Sequence, residues 1–267
     1  MPEIASNLRT LCFPPRCVNC QSEIVPSKTR KFQGRPDQLA SYSKHERIAS
    51  LLNDHWCDHC LRNLVNRDRI TCWTCGAELN QQSPLGRKCA LCFKKSFRFT
   101  QAISLGNYQG PLQKLVIRMK NLHDEPLTIQ LGNLLAHQLF NSEFIDSIDL
   151  ITAVPTHWWR RLKRGFQAAE MLAETVARES DRQFSPEILK CQRSTEKQGT
   201  LASTSREKNV QNAFRVSRKP SLQGANILLI DDVMTSGATV NEISRILLRA
   251  GVEKVYVGVI ARGGRVS

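Results

Sequence analysis

Eight cysteines stand in four Cys-x-x-Cys pairs: Cys17/Cys20, Cys57/Cys60, Cys72/Cys75 and Cys89/Cys92. Such a turn aims two sulfurs at one point, so two turns build a tetrahedral S₄ cage suited to zinc. Eight thiolates predict about two zinc ions per chain. Thirteen residues separate the third pair from the fourth, a usual zinc-ribbon span, and 36 separate the first from the second. Gly76 can supply the positive backbone dihedral that a knuckle often needs. Sequential pairing is the simpler scheme, and an interleaved one fits the spacing as well. A closed S₄ cage has no open coordination position, so the metal is expected to stabilise the fold.

Competing uses of these cysteines fare worse. A disulfide framework needs an oxidising compartment. The opening residues, MPEIASNLRTLCFPP, lack the basic segment, apolar block and cleavage site of a signal peptide. A thioredoxin-like pair would sit beside a βαβ pattern, which this region lacks. His55 and His59 flank the second pair as bystanders, and Cys12 and Cys191 are expected as buried thiols. No run of eighteen apolar residues predicts a transmembrane helix. The expected location is the cytoplasm.

A second constellation lies in ILLIDDVMTSGAT, residues 227–239. An apolar strand, Ile227 to Ile230, delivers Asp231 and Asp232 to its carboxyl end, where open α/β sheets bind ligands. Val233 and Met234 lead into a small-residue loop, Thr235, Ser236, Gly237, Ala238 and Thr239, and a helix beginning near Val240. Glycine and alanine let the backbone approach a ligand. Amide N–H groups and three hydroxyls then converge on a phosphate at the positive end of a helix. Two carboxylates would repel that phosphate unless they hold ribose hydroxyls, or a Mg²⁺ bridging hydroxyls and pyrophosphate oxygens. This pattern fits a ribose 5-phosphate. Simple helix capping would not require two adjacent acids, a glycine and three hydroxyls together.

Trp158 and Trp159 stand beside Arg160, Arg161, Lys163 and Arg164. Aromatics among bases can stack and neutralise single-stranded DNA, and a packed pair of rings with a solvated basic face accounts for them equally well. The net charge of +14 points with the same ambiguity to an anionic partner.

Elements must position these groups. Nine of the ten cysteines fall in the first 92 residues, which predicts a double zinc-ribbon module over 1–97. Residues 98–267 read differently. AISLGNYQG suggests a strand or hairpin, and PLQKLVIRMKNL and PLTIQLGNLLAHQLF have helical spacing. DLITAVP is a buried strand, and WWRRLKRGFQAAEMLAETVARES is largely helical. ILKCQ is a short strand, and the final stretch runs strand, loop, helix, strand. The alternation predicts an α/β fold with a mostly parallel sheet and flanking helices.

Residues 227–239 resemble the phosphoribosyl-pyrophosphate-binding signature of type I phosphoribosyltransferases. The whole chain resembles the ComF/GntX family, in which a double zinc ribbon precedes that fold. The likeness covers the four Cys-x-x-Cys pairs, NYQGPLQKLVIRMK, VPTHWWRRLKRGF, QGTLASTSREKNVQNAF and the signature. It implies that phosphoribosyl pyrophosphate with Mg²⁺ binds at residues 231–239, with Asp231 and Asp232 as the catalytic acids. It implies that Pro155, Thr156 and His157 face the diphosphate and that Lys120 faces the anion. The stretch from Gln198 to Asn209 corresponds to a loop that closes over the site, with Arg206 and Lys208 reaching phosphate oxygens. Where the family has Arg-Gly-Phe-Asn-Gln, this chain has Arg164-Gly165-Phe166-Gln167-Ala168, so one amide is displaced and one lost. The implied role is DNA uptake in natural transformation or use of external DNA, with single-stranded DNA and DNA-uptake proteins as partners. The alternative is an active transferase of nucleotide metabolism whose acceptor the sequence does not name.

Overall fold

The computed structural model describes residues 15–24, 44–64, 69–79, 87–121, 124–157, 167–193, 208–217 and 222–264. In the cysteine-rich part, Lys44–His55 (α1) and Asp58–Leu64 (α2) flank the start of the second cysteine pair, and Ala90–Lys94 (α3) begins within the fourth. Short antiparallel bridges, Arg16 with Glu23 and Thr71 with Glu78, close the knuckles of the first and third pairs.

The rest alternates strands with helices. Gln101–Asn107 (β1) is followed by Gly110–Arg118 (α4) and Glu125–Phe140 (α5). A proline opens each of these helices, where its missing N–H leaves no helical bond unmade. Leu150–Ala153 (β2), Ala168–Ser180 (α6) and Gln183–Phe184 (β3) come next, then the antiparallel pair Leu189–Cys191 (β4) and Phe214–Val216 (β5). Asn226–Met234 (β6), Ala238–Arg249 (α7) and Lys254–Arg262 (β7) complete the order.

Five strands form one parallel sheet in the order β1-β7-β6-β2-β3. Side chains alternate across a strand, so β6 and β7 feed two apolar layers. Leu228, Ile230, Tyr256 and Ile260 pack in the core with α4, α5 and α6. Ile227, Leu229, Val255, Val257 and Val259 pack on the other side with α7. Covered on both faces, such strands read as near-continuous apolar runs. Gly132 lets α5 meet α6 closely, because a Cβ there would lie 2.8 Å from the Thr175 side chain.

The cysteine-rich part contributes to both layers. Cys17, Leu52, Trp56 and Cys60 join the first core, and Cys72, Cys75, Cys89 and Cys92 join the second. Among the described residues no helix is long and apolar enough to cross a membrane.

Of the strand or hairpin expected for AISLGNYQG, the strand forms, at the sheet edge and parallel to β7. Two local expectations shift. β6 runs past Ile230 to Met234, because β7 continues the ladder through Asp231–Val259, Val233–Ala261 and Met234–Arg262. The helix after the loop starts at Ala238, not Val240.

Candidate functional site

From β2 the chain crosses by α6 to β3 on one side of the sheet, and from β6 it crosses by α7 to β7 on the other. The adjacent carboxyl ends of β2 and β6 therefore bound the crevice in which open α/β sheets bind ligands. The Val154 N–H donates to the Ile230 carbonyl at 2.9 Å, so Pro155–His157 emerge beside the acids of β6. The structure brings together the two segments expected to hold the ligand.

Lys120 Nζ lies 2.7 Å from Asp232 Oδ2. Asp231 accepts the Asp232 backbone N–H at 2.8 Å. Asp231 keeps some accessible surface, yet protein surrounds it at longer range. That desolvation, with the Asp232 charge second, holds its carboxyl well above the usual carboxylate range, against the Asp232 N–H and Lys120. An acid pair of this kind favours an added cation or a hydroxyl donor.

The loop after β6 is shaped for an anion. Gly237 has φ +75° and stands as the N-cap of α7 without a side-chain cap, which leaves first-turn N–H groups for a ligand. The Thr235 hydroxyl is buried without a hydrogen-bond partner, a vacancy that a phosphate oxygen could fill. Ser236 Oγ lies 3.4 Å from the Ala238 N–H. Met234, Gly237 and Ala238 are buried, and Val233, Thr235, Ser236 and Thr239 are half-buried. A Cβ on Gly237 would lie 2.9 Å from the Phe97 ring, so Phe97 walls the loop.

Two residues of the site were not assigned from sequence. Gln167 donates through Nε2 to the Val154 carbonyl at 3.1 Å, and its Oε1 accepts the Thr156 N–H at 3.3 Å. The displaced amide thus braces the turn after β2. Arg262, 2% exposed, donates to the carbonyl of Met234 at 2.9 Å and to those of Thr235 and Gly263. The available signal was an arginine closing the run KVYVGVIAR, apolar between Lys254 and Arg262 apart from its glycine.

The eight thiols gather as Cys17/Cys20/Cys57/Cys60 and Cys72/Cys75/Cys89/Cys92, each set with sulfurs within 4.8 Å of one another. This is the sequential pairing. Cys20 and Cys57 sulfurs are 3.6 Å apart, as are those of Cys75 and Cys89. Ligands about 2.3 Å from one tetrahedral zinc would stand about 3.8 Å apart. Burial pushes the Cys60 thiol up to about 12, so a bare thiolate is disfavoured there, a cost that a bound cation would relieve. Both sets could hold zinc. Cys191, expected as a buried thiol, is half-buried instead.

Lys208 is exposed in a short helical turn. Beside it, Arg193 Nη2 donates to the carbonyls of Asn209 and Gln211 at 2.8 and 3.2 Å, and Asn212 N–H donates to Glu242 of α7 at 3.0 Å. Gln198 and Arg206 lie outside the described residues, as do Cys12, Trp158, Trp159, Arg160, Arg161, Lys163 and Arg164.

Residues 119–265 match the phosphoribosyl transferase domain family. The "DNA utilization protein YhgH" of Salmonella typhi is 30% identical over 214 residues, 78% of this chain and 91% of that protein. "Competence protein F" of Haemophilus influenzae is 26% identical over 254 residues, 94% of this chain and 98% of that protein. A solved glutamine phosphoribosylpyrophosphate amidotransferase from B. subtilis aligns at 19% identity and a TM-score of 0.34, over 50% of this chain and 26% of its own length. The domain match and these relatives agree: this chain belongs to the phosphoribosyl transferase domain family and, within it, to the ComF group of competence and DNA-utilisation proteins.

Proposed function

We propose that the chain binds phosphoribosyl pyrophosphate with Mg²⁺ in the crevice between β2 and β6. We further propose that it serves the uptake or use of external DNA in the cytoplasm, in contact with single-stranded DNA and DNA-uptake proteins. One observation carries the first part: an acid pair, a cation and a glycine-opened helix start meet at the carboxyl ends of adjacent parallel strands. The 5-phosphate would take the first-turn N–H groups of α7 and the unpartnered Thr235 hydroxyl. Asp231 and Asp232 would hold the ribose hydroxyls, with Lys120 and the Pro155–His157 turn toward the pyrophosphate. The same two acids would hold Mg²⁺, which would supply neutralisation of the pyrophosphate charge. The names of the relatives support the DNA role.

The test is calorimetric titration of phosphoribosyl pyrophosphate with Mg²⁺, with and without a single-stranded oligonucleotide. Saturable binding that Asp231→Asn and Asp232→Asn together abolish is expected. Unchanged affinity in that double variant removes the assignment.

A second reading, an active transferase, is favoured by a cleft of about 640 Å³ beside Pro155 and Thr156, bordered by Gln167, Glu170, Lys190 and Arg215. It offers room for an acceptor. The ribose C1–pyrophosphate bond would break as the acceptor nucleophile bonds C1, and Lys120 and the Pro155–His157 turn would hold the charge that develops on the leaving pyrophosphate. Pyrophosphate release that depends on an added nucleobase or nucleic acid would establish it. Binding without turnover across that set would leave a sensor.

A further inference from the structure

The second ribbon presents a surface that the crevice between β2 and β6 does not use. Trp73, inside the third cysteine pair, is 48% exposed, and Phe93, directly after Cys92, is 66% exposed. Both are held by the cage scaffold: the Trp73 N–H donates to the Arg87 carbonyl at 2.8 Å, and the Phe93 N–H to the Cys89 carbonyl at 2.9 Å. The Arg87 guanidinium lies 5.9 Å from the centre of the Trp73 ring.

The chain segment that carries Phe93 has charges of one sign. The sequence holds no Asp or Glu between Glu78 and Asp124, and Arg87, Lys88, Lys94, Lys95 and Arg98 fall in that interval. All are exposed except half-buried Lys95. A groove of about 410 Å³ is lined by Trp73 and Arg87 together with Gln101 at the start of β1 and Gln138, Asn141 and Ser142 around the end of α5. Glu143 is the acid of that lining and would keep phosphates on the Arg87 side. Side-chain amides both donate and accept hydrogen bonds, which suits base edges. Aromatic faces beside cations suit bases and phosphates of a flexible strand.

We infer that the second ribbon binds single-stranded nucleic acid, with one base stacked on Trp73 in this groove. Another base lies on Phe93, and phosphates follow Arg87, Lys88 and Lys94. The inference rests on the DNA-contacting part of the proposed function and gives that contact a place. An acidic protein would use the same cations but gains nothing from amides and an aromatic ring lining one groove. A duplex keeps its bases stacked and offers them to neither aromatic.

The experiment is a fluorescence-anisotropy titration of a labelled oligothymidylate with the full, zinc-loaded chain. Trp73→Ala and Phe93→Ala should each weaken binding about tenfold, the scale of one lost base–aromatic stack. Trp73→Phe should restore most of it. Lys94→Gln should lower the slope of log affinity against log salt by about 0.7. Zinc content and phosphoribosyl pyrophosphate titration should stay as in the wild type. If Trp73→Ala loses zinc, Phe93→Ala, outside the pair, decides.

Wild-type affinity in both alanine variants would overturn the inference while keeping the DNA reading. Loss in Arg160→Ala/Arg161→Ala instead would place the contact there. Competition by duplex or polyglutamate as strong as by the single strand would also overturn it. No oligothymidylate binding by the wild type would remove this inference and the DNA contact together, leaving the phosphoribosyl reading to its own titration.

Discussion

Arg262 and Cys75, 187 residues apart in sequence, meet with a guanidinium nitrogen 4.0 Å from the sulfur. The same guanidinium holds the Met234 and Thr235 carbonyls, so the second cage and the loop before α7 share one buried cation. Arg262→Gln is expected to cost about 2–3 kcal/mol, the scale of lost charge-assisted hydrogen bonds. It should also weaken phosphoribosyl pyrophosphate binding. Thermal melts and calorimetry check the pair. Stripping zinc from the second cage should weaken the same ligand, and affinity unchanged by chelation would uncouple cage from loop.

Gln167→Leu keeps the volume class and removes both hydrogen bonds to the turn after β2. A stability loss of about 1–2 kcal/mol is expected, with inorganic pyrophosphate binding about tenfold weaker from a mispositioned turn. Equal pyrophosphate affinity in the variant would make Gln167 a packing residue only.

Asp231 gives a pH prediction. Its folded-state value lies above the ordinary 3.8, first through burial and then through Asp232. The stability tied to its proton is fully present below the ordinary value and is lost as pH rises through the raised one. Asp231→Asn keeps an oxygen for the Asp232 N–H and carries no charge. The variant should melt a few degrees above wild type at neutral pH, and the gain should vanish on acidification toward pH 3.8. Mg²⁺-dependent ligand binding should fall as stability rises. A variant melting below wild type at neutral pH would contradict this.

Gly237→Ala meets two obstacles. The left-handed backbone costs a non-glycine residue about 1–2 kcal/mol, and its Cβ meets the Phe97 ring. Adding Phe97→Ala should relieve the second and leave the first. A double-mutant cycle by denaturant unfolding measures the difference, and strict additivity would mean that ring and loop do not touch.

Legibility in the sequence followed the range of each signal. The apolar run Ile227–Ile230, the acid pair and the small-residue loop are contiguous, so they announced a strand, a ligand edge and a helix start. The extension of β6 to Met234 was hidden because Asp231 and Asp232 look like a strand end. Only the ladder with β7 keeps them extended. The cysteine spacing gave the cages but left their pairing open until the sulfurs were seen in space. Arg262 carries no local pattern, because its partners are carbonyls and a sulfur from distant segments. Gln167 stood out as a displaced amide, yet its function required the position of Val154 and Thr156.

Phe97 closes the cysteine-rich stretch and touches the glycine that opens α7, and this bears on inheritance. Exchanging the upstream segment between relatives would also exchange one wall of the anion loop, which travels with it. A chimaera joined after residue 97 would have to import a matched ring at that position and a matched glycine at 237. A change at either position is therefore expected to be accepted best with a matching change at the other.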